Sequence, residues 1–502
     1  MKIAIVGAGP AGLAAAKLAL GRGHDVTVFE KYGQLGGIWN PHGHGAYDHV
    51  RMQTSRWAFH YSDHPPAKDQ DQEFLSRNEF HAYLQCYGDH FGVAQKIRYN
   101  AEVLCVKQEE RETWIVSFRA EAGIQQEKYD RVIVANGELW RSKKLHSSGR
   151  GSPLSAKEYR SPEKFAGQKV LVVGGGVSGA DIAAEIATVS SNVHWSVRKP
   201  ALLLPRKWGK TPNDGCFSYA GRYEVQGWNR DHYLEFLAKC MPEYMSQYRS
   251  TGLIPEKISN NAIHVNDSAI PAVAAGRLMV KPAVTSIHNA HQVHFADKSS
   301  EDYDVVIVCA GYEPPDYSFI DGFSIHDLYE YFFYWKNTGL AVLNTPMIAD
   351  GYGTACPYFE AIAYWILQVF EGVRQLPPLN EMRQWCEETK HTSHLKEFYD
   401  CWLHTIRIGI ESGQLPNPAT DFKQYWHIVS NGVTPLNLST HPKETWEPAH
   451  DSLVDIRTLR CRILASFSDT ELQKLVGSGQ VTAEDAFRSH SLRSQAIDPG
   501  LV

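Results

Sequence analysis

The run KIAIVGAGPAGLAAAKLALGRGHDVTVFE, from Lys2 to Glu30, decides the fold. A short apolar stretch leads into GAGPAG, a helix-forming stretch follows, and the strand-like DVTVF ends just before Glu30. A strand, a glycine-rich turn, a helix and a second strand closed by an acid form the fingerprint of a dinucleotide-binding unit. Gly7 permits the tight turn, Gly9 lets backbone approach a pyrophosphate, and Gly12 lets the helix pack on the strand. The N–H groups at the start of the helix then attract phosphate.

A second copy of this order lies further along the chain. KVLVV precedes GGGVSG, Gly174 to Gly179, and ADIAAEIA and NVHWSVR follow. Because strand, helix and closing strand all recur, a chance cluster of glycines is disfavoured. The closing residues differ, since Glu30 can accept hydrogen bonds from a ribose hydroxyl, whereas Arg198 and Lys199 suit a 2′-phosphate. The sequence therefore predicts FAD at the first site and NADPH at the second.

The composition is that of an ordinary globular protein of 502 residues, with a hydrophobic fraction of 43%. The net charge of −6 gives no reason to expect nucleic acid or an anionic membrane as a partner. No apolar run reaches the roughly 18 residues of a membrane span, and a buried first strand explains the apolar start better than a secretory signal. Nine cysteines without a CxxC spacing favour reduced thiols and a cytoplasmic location.

The order of elements predicts an α/β fold with two nested Rossmann-like dinucleotide-binding domains, for FAD and NADPH, and a helical C-terminal extension. We expect the FAD-binding domain to be discontinuous. The expected limits are 1–160 and 301–375 for the FAD-binding domain, 161–300 for the NADPH-binding domain with a helical insertion at about 200–275, and 376–502 for the extension.

Four later runs support this nesting. YDRVIVANG, Tyr129 to Gly137, is expected to return beneath the first cofactor, and EDYDVVIVCAGY, Glu301 to Tyr312, to return to the first domain. GLAVL, Gly339 to Leu343, is a further predicted strand. PYFEAIAYWILQVFEG is a predicted helix that ends at Gly372, as a glycine C-cap does.

Five motifs between residues 1 and 375 recur together in one known group. They are GAGPAG, the Gly36-Gly37-Ile38-Trp39 run, GGGVSGADIA, the CAGY run, and the spacing of Pro357, Glu360, Ala363 and Trp365. With them the chain resembles the class B flavin-dependent monooxygenases, which include the flavin-containing and the Baeyer–Villiger monooxygenases. Disulfide reductases share the nested plan, but they need a redox cysteine pair, and the missing CxxC argues against that chemistry.

Three positions in two motifs depart from the pattern of this group. Its fingerprint F-x-G-x-x-x-H-x-x-x-[YFW] falls on Gly149, Gly151, Ser155 and Tyr159, so that Phe has become Gly and His has become Ser. The Asn that flavin-containing monooxygenases place near the flavin corresponds to Gln53. Gln keeps the amide but is one methylene longer, and a plain surface-loop amide is the alternative interpretation of Gln53.

The resemblance implies that NADPH reduces FAD, that O₂ adds to the reduced flavin as a C4a-(hydro)peroxide, and that one oxygen atom passes to a small-molecule substrate. Gln53 is then the catalytic candidate, and no metal site is expected. Arg206 is a candidate for contact with NADP⁺ or substrate, with a surface role as the alternative. The cofactor-binding candidates are Gly7, Gly9, Pro10, Ala11, Gly12, Glu30, Lys31, Gly37, Ile38, Trp39, Gln53, Val103, Ala135, Gly174, Gly176, Val177, Ser178, Gly179, Arg198 and Lys199.

Three functions stay open at this point. The first is oxygenation of a soft nitrogen or sulfur nucleophile, which the Gln in the Asn position and the missing His favour. The second is Baeyer–Villiger insertion beside a carbonyl, and the third is a reductive flavoprotein without oxygenation. The aromatic residues near Pro357 and from Trp208 to Trp228 suggest a roomy apolar pocket, with ordinary core packing as the alternative. The oligomeric state is open, with a homodimer as one candidate.

Overall fold

In a computed structural model of the protein, strands and helices succeed one another along most of the chain. The described residues are 1–43, 45–66, 73–110, 112–216, 218–221, 228–258, 263–344, 355–390, 401–431, 435 and 456–493. The strands are β1 Lys2–Val6, β2 Asp25–Phe29, β3 Ile97–Arg98, β4 Glu102–Glu110, β5 Thr113–Ala120, β6 Gly123–Tyr129, β7 Arg131–Val134, β8 Ser147–Ser148, β9 Leu154–Ser155, β10 Val170–Val173, β11 Val193–Ser196, β12 Leu202–Leu204, β13 Lys207–Trp208, β14 Thr211–Pro212, β15 Ile263–Val265, β16 Met279–Lys281, β17 Val284–His288, β18 Gln292–Phe295, β19 Ser300–Asp302, β20 Val305–Val308, β21 Leu328–Tyr329, β22 Phe333–Tyr334 and β23 Leu340–Val342. The helices are α1 Pro10–Gly21, α2 Arg77–His90, α3 Val177–Ile186, α4 Arg230–Cys240, α5 Pro242–Ser250, α6 Ala269–Ala274, α7 Ala355–Phe370, α8 Leu379–Thr389, α9 Cys401–Glu411, α10 Phe422–Ser430, α11 Ile456–Leu464, α12 Asp469–Gly477 and α13 Ala483–Arg493.

The first sheet is built around β1 and has the order β21-β22-β23-β7-β1-β2-β3. Strand β1 pairs in parallel with β2 on one side, Ile3 opposite Val26, and with β7 on the other, Ile3 opposite Arg131. The prediction that Tyr129 to Gly137 returns beside the first strand is confirmed. The predicted strand at Gly339 to Leu343 is confirmed as β23, which pairs with β7.

Both faces of this sheet are covered, which explains the unbroken apolar run of β1. Helices α1 and α7 pack on one face, where Ala14 and Ile362 share a core with Ile5. The antiparallel meander β4-β5-β6 covers the other face, where the Phe118 ring lies 4.8 Å from that of Phe29. A strand buried on both sides has no polar face, so its side chains do not alternate.

The second sheet repeats the plan with the order β16-β11-β10-β20-β9. Strand β10 lies between β11 and β20, as β1 lies between β2 and β7. The expectation that Glu301 to Tyr312 returns to the first domain is therefore wrong, because β20 pairs with β10, Val170 opposite Val305. The aliphatic Val-Val-Ile-Val run suits either sheet. It follows the three antiparallel strands β17, β18 and β19 and joins the second sheet. The domain limits stay a prediction, but the boundary expected at 301 moves to the far side of β20.

The two predicted helical regions differ in composition. The stretch from 200 to 275 holds α4, α5 and α6 but also the two-stranded pairs β12-β15 and β13-β14, so it is less purely helical than predicted. Among its described aromatic residues, the Trp208 ring packs 5.9 Å from that of Phe236, while residues 217 and 222–227 of the predicted pocket lie outside the described residues. The extension beyond residue 376 is helical from α8 to α13 in its described part, as expected, and the polar tail from 494 lies outside the described residues.

We predict that Gly12→Ala destabilises the protein and lowers its FAD content. A Cβ at Gly12 would lie 1.9 Å from the Gly7 carbonyl oxygen, so strand and helix would have to move apart. Such overpacking costs about 1–3 kcal/mol. The matched control is Gly21→Ala in the same helix, where a Cβ meets nothing within 4 Å. Thermal unfolding and flavin absorbance check both variants, and equal melting temperatures would contradict the steric argument.

Candidate active site

The first glycine-rich turn brings two strands and a helix into direct backbone contact. Gly7 has a φ of +107°, and a Cβ there would lie 2.4 Å from the Ala135 carbonyl oxygen. The Gly7 N–H donates to the Phe29 carbonyl at 2.8 Å. The turn therefore joins the carboxyl ends of β1, β2 and β7, where ligands of such sheets bind.

Helix α1 begins at this turn without any group of its own to satisfy its first N–H groups. Its N-cap is Gly9, which has no side chain to accept them, and the first turn holds no acidic residue. Pro10 occupies the first helical position, and Ala11 follows it. Unpaired N–H groups together with the positive end of the helix dipole favour a bound anion, so this end of α1 fits a dinucleotide pyrophosphate.

Glu30 lies at the end of β2 with its carboxylate held in place. The Ala8 N–H donates to Oε2 at 2.9 Å, and the Tyr32 N–H donates to Oε1 at 3.0 Å. Burial raises the pKa of Glu30 against the lowering effect of these bonds. The carboxylate keeps further lone pairs, so it can also accept from a ribose hydroxyl.

Two other FAD candidates flank Glu30. The Lys31 ammonium lies 4.4 Å from the centre of the Trp140 ring, and burial lowers its pKa. Val103 is half-buried in β4, two residues after Ala101, whose N–H donates to the Glu30 carbonyl at 2.8 Å. Both candidates thus border the segment that carries Glu30.

The Gly36-Gly37-Ile38-Trp39 run lies against the first turn. The Gly36 N–H donates to the Ala8 carbonyl at 2.8 Å, and a Cβ at Gly37 would lie 3.1 Å from the Gly9 Cα. Gly37–Trp39 forms one turn of 3₁₀-helix, with the Trp39 ring packed on Phe80 at 4.9 Å. The second flavin motif and the first are therefore adjacent in space.

The second glycine-rich turn reproduces the first. Gly174 has a φ of +132°, and a Cβ there would lie 2.2 Å from the Cys309 carbonyl oxygen, on the β20 side. A Cβ at Gly179 would lie 2.0 Å from the Gly174 carbonyl oxygen. Helix α3 begins after Gly176, again with no side-chain cap and no acid in its first turn, so Val177 and Ser178 present free N–H groups.

The basic residues expected to read a 2′-phosphate lie at the far end of β11. Arg198 and Lys199 are both exposed just after this strand. A Cβ at Gly175 would lie 3.0 Å from the Lys199 carbonyl oxygen, so this basic segment passes directly over the glycine-rich turn. A phosphorylated ribose bound there would meet a positive, open surface.

Gln53 is half-buried in a loop that both domains contact. Its carbonyl accepts from Asn213 Nδ2 at 3.2 Å, and the neighbouring Met52 is buried in the core beneath the first site. The same loop reaches α1, since the Tyr61 hydroxyl donates to the Pro10 carbonyl at 2.7 Å. The loop therefore connects the start of α1 with the second domain.

Arg206 is bound rather than free. Its Nε donates to the Met52 carbonyl at 2.8 Å and one Nη to the Arg51 carbonyl at 3.2 Å, while Asp267 binds the other Nη at 2.5 Å. Its side chain is only 13% exposed. The Arg206 side chain is thus mostly buried and bound to the loop and to Asp267, a contact that the sequence did not predict, while its contact with NADP⁺ or substrate stays a prediction.

Three buried carboxylates between the packed elements were also missed. Asp214 accepts from Ser55 N at 2.8 Å and from Ser55 Oγ, and burial raises its pKa to about 6. Asp181, on α3, accepts from the Tyr47 hydroxyl of the first domain. Glu360, noted only as part of a motif, accepts from Ser62 N at 2.8 Å, and burial raises its pKa to about 7. The motifs that contain Asp181 and Glu360 did not indicate these contacts, because the partners are distant in sequence.

The degenerate fingerprint occupies the crossing between the domains. Ser155, in the place of the group's His, lies in β9 opposite Val308 of β20. The Tyr159 hydroxyl donates to Glu185 Oε2 at 2.7 Å, so the aromatic position of the fingerprint is bound to α3. The segment that connects the two domains is thus paired and hydrogen-bonded although the His is absent from it.

Metal and disulfide chemistry find no support in the described ranges. There the cysteines are free thiols, and His, Cys, Asp and Glu do not assemble into a cluster able to hold a metal ion. In the same ranges, none of the helices combines the length and the apolar character needed to cross a bilayer. The geometry leaves two dinucleotide sites and a polar loop between them.

The amino-acid sequence matches the family model for flavin-binding monooxygenase-like proteins over residues 1–409. The chain belongs to this family. It is a flavin-dependent monooxygenase, and the predictions of FAD and NADPH as its cofactors are confirmed. The predicted α/β fold with two Rossmann-like domains is confirmed as well. Which residues contact each cofactor stays a prediction.

The relatives of this monooxygenase span nearly its whole length. The 4-hydroxybenzoate brominase (decarboxylating) of Pseudoalteromonas luteoviolacea is 27% identical over 462 residues, covering 84% of this chain and 85% of the relative. Flavin-containing monooxygenase 5 of Homo sapiens is 24% identical over 494 residues, covering 90% and 91%. The solved S-allyl-L-cysteine S-oxygenase from Allium sativum has a TM-score of 0.56 at 18% identity, covering 99% of both chains. A structure of OTEMO with FAD and NADP has a TM-score of 0.61 at 17% identity, covering 78% of this chain and 88% of that one. The two structures show the fold.

We predict that Arg198→Ala weakens the use of NADPH by the monooxygenase about 10- to 150-fold and leaves NADH nearly unchanged. The loss of a charge-assisted bidentate pair costs about 1.5–3 kcal/mol. NADH has no 2′-phosphate, so its binding does not depend on this pair. Steady-state kcat/KM for the two cofactors gives the ratio. Arg383→Ala, an exposed arginine of α8, is the control. An unchanged ratio for Arg198→Ala would direct attention to Lys199.

Proposed function

We propose that this monooxygenase transfers one atom of O₂ to a nitrogen or sulfur atom of a small organic substrate. The second oxygen atom leaves as water, and both electrons come from NADPH. The observation that carries the proposal is the pair of helices α1 and α3. Each begins after a glycine and has no side-chain cap. Glu30 lies at the strand end beside the first helix, and Arg198 at the strand end beside the second. Bound FAD supplies the activation of oxygen. The residues of the chain bind the cofactors, orient the substrate and exclude water from the site.

In this proposal the first site holds FAD through backbone and one carboxylate. The N–H groups that follow Gly9 bind the pyrophosphate, and Glu30 accepts from the ribose of the adenosine. Lys31, Val103 and Ala135 border that half of the cofactor. Gly37, Ile38 and Trp39 face the flavin ring, because their turn lies against Gly9.

The second site holds NADPH in the matching way. Gly174, Gly176 and Gly179 allow the backbone to approach its pyrophosphate, and Val177 and Ser178 offer N–H groups. Arg198 binds the 2′-phosphate as a fork, and Lys199 adds a point charge. The basic end of β11 thus distinguishes NADPH from NADH.

Gln53 is the proposed catalytic residue. Its loop is bound to Pro10 through Tyr61 and to the second domain through the Gln53 backbone carbonyl, which supports a position of the Gln53 amide between the two cofactors. An amide both donates and accepts, and can hold a polar group in a site from which water is excluded. Loss of the Gln53 amide would let NADPH oxidation yield hydrogen peroxide in place of oxygenated product.

Oxygenation at nitrogen or sulfur is favoured over Baeyer–Villiger insertion by two positions. Ser155 replaces the fingerprint His and lies in β9 opposite Val308. A serine hydroxyl cannot take the role of an imidazole. Gln53 keeps an amide in the position where flavin-containing monooxygenases have one. The brominase relative is named for 4-hydroxybenzoate, so a phenolic acid belongs in any substrate panel.

A cytoplasmic location is proposed from the cysteines. Among the described ones, none is paired with another, and the sequence holds no CxxC. Unpaired thiols are typical of a reducing compartment.

The test is product analysis after aerobic turnover with NADPH under ¹⁸O₂. A panel of a sulfide, a tertiary amine, a ketone, and 4-hydroxybenzoate with bromide separates the functions. A sulfoxide or N-oxide that carries one ¹⁸O supports the proposal. A labelled ester from the ketone would show Baeyer–Villiger insertion, and NADPH oxidation with no oxygenated product would show a reductive flavoprotein.

We predict that Gln53→Ala raises the hydrogen peroxide formed per NADPH about three- to tenfold. A buried amide hydrogen bond is worth about 1 kcal/mol net, and more where its partner stays unpaired. Anaerobic reduction of the flavin by NADPH is expected to stay near the wild-type rate. Gln384→Ala, an exposed amide of α8, is the control. An unchanged ratio would return Gln53 to the role of an ordinary loop amide.

A further inference from the structure

Three side chains of the second domain bind the backbone of the loop at residues 51–55. They are Arg206, Asn213 and Asp214, from the segment that follows β12, and we call them the loop brace. Arg206 donates to the carbonyls of residues 51 and 52, Asn213 donates to that of residue 53, and Asp214 accepts from the N–H of residue 55. Successive backbone groups on both sides of Gln53 are therefore held from across the domain boundary.

Asp214 is a fully buried carboxylate of the loop brace. Both Asp214 and Asn213 have no exposed surface. Asp214 binds the Ser55 N–H at 2.8 Å with one oxygen and the Ser55 hydroxyl at 2.5 Å with the other. A buried carboxylate is costly unless it is satisfied in this way, so its geometry fixes the position of Ser55 closely.

The loop brace is connected to the NADPH-binding helix. Arg206 binds Asp267 through its own N–H and its guanidinium. The adjacent Asn266 donates to Asp181, in the second turn of α3. A continuous series of polar contacts thus runs from the helix that starts at Gly176 to the loop that carries Gln53.

One acceptor of the loop brace has no partner among the described residues. Asn213 Oδ1 is buried and has no hydrogen-bond partner within the described residues. An unsatisfied buried acceptor lowers stability, and such groups in native proteins call for an explanation in terms of function or of a missing water or ligand. In this protein the Asn213 side-chain amide donates to the backbone carbonyl of Gln53, while its own oxygen accepts no hydrogen bond from the described residues.

We infer that Asn213 and Asp214 are positioning residues, which hold the backbone of residues 53–55 and thereby place the Gln53 amide in the oxygen-transfer site. The inference rests on the proposed function of Gln53. Neither residue needs to touch cofactor or substrate, because each acts through the loop. The NADPH-binding domain then contributes to the coupling of NADPH oxidation to oxygen transfer, as well as binding the cofactor.

The experiment compares four variants of the FAD-loaded enzyme with the wild type and with Gln53→Ala. Asp214→Ala removes both acceptors of Ser55. Asp214→Asn keeps a carbonyl oxygen for the Ser55 N–H, and its NH₂ can donate to the Ser55 hydroxyl, which accepts as well as donates. Asp231→Ala, an exposed aspartate of α4 with a side chain 84% exposed, controls for loss of charge in the same insertion. The double variant Gln53→Ala/Asp214→Ala tests whether Asp214 acts through Gln53.

Two readouts are measured on each variant. Hydrogen–deuterium exchange of the peptide covering residues 50–58 reports the loop itself, and hydrogen peroxide formed per NADPH reports coupling. We expect Asp214→Ala to increase exchange in that peptide and to raise the peroxide ratio about three- to tenfold, with FAD content near that of the wild type. Asp214→Asn and Asp231→Ala are expected to resemble the wild type, and the double variant to match Gln53→Ala.

Three results would overturn the inference. They are unchanged exchange in Asp214→Ala, increased exchange with an unchanged peroxide ratio, and a double variant whose effect is the product of the two single effects. Should Asp214→Ala fail to fold, Ser55→Ala removes the hydroxyl contact from the loop side and keeps the N–H contact, and we expect it to change both readouts in the same direction. Failure of the proposed function is distinct, because the wild type would then yield no oxygenated product although Asp214→Ala still loosens the loop.

Discussion

Each cofactor site depends on a steric constraint at its glycine-rich turn. Gly7 and Gly174 place their backbone against the carbonyl of the neighbouring return strand, and Gly12 and Gly179 bring the following helix onto the turn. Only this close approach lets α1 and α3 start immediately beyond the sheet. Each helix then starts with N–H groups that no side chain of the described residues caps.

The same constraint explains why the two sites are alike in backbone and unlike in charge. Backbone atoms form the pyrophosphate site, so it tolerates little change in either copy. The residues that close β2 and β11 lie outside this close packing, and they are free to differ as Glu30 and Arg198 do. In the proposed arrangement, one or two side chains on a shared scaffold therefore set the choice of cofactor.

Between the two sites, buried acids hold elements together through hydrogen bonds from the opposite side. Asp214 is satisfied by Ser55, Asp181 by Tyr47, and Glu360 by Ser62. Burial raises the pKa of each of these carboxyls, and the hydrogen bonds oppose that rise. Two of the three contacts join a residue of the first 60 to the second domain, which ties the loop around Gln53 to the domain that binds NADPH.

The sequence by itself determined the dinucleotide units, the two cofactors and the family, because these depend on local patterns. Glycine spacing, strand and helix propensity and the charge at a strand end are all contained in about thirty neighbouring residues. It also predicted α7 and its C-cap, and the return strand β7. The tertiary structure alone decided which sheet received β20, since a run of four aliphatic residues suits any central strand. It alone also brought Asp214 to Ser55, 159 positions away along the chain, because a hydrogen bond between distant residues leaves no periodic pattern in either segment.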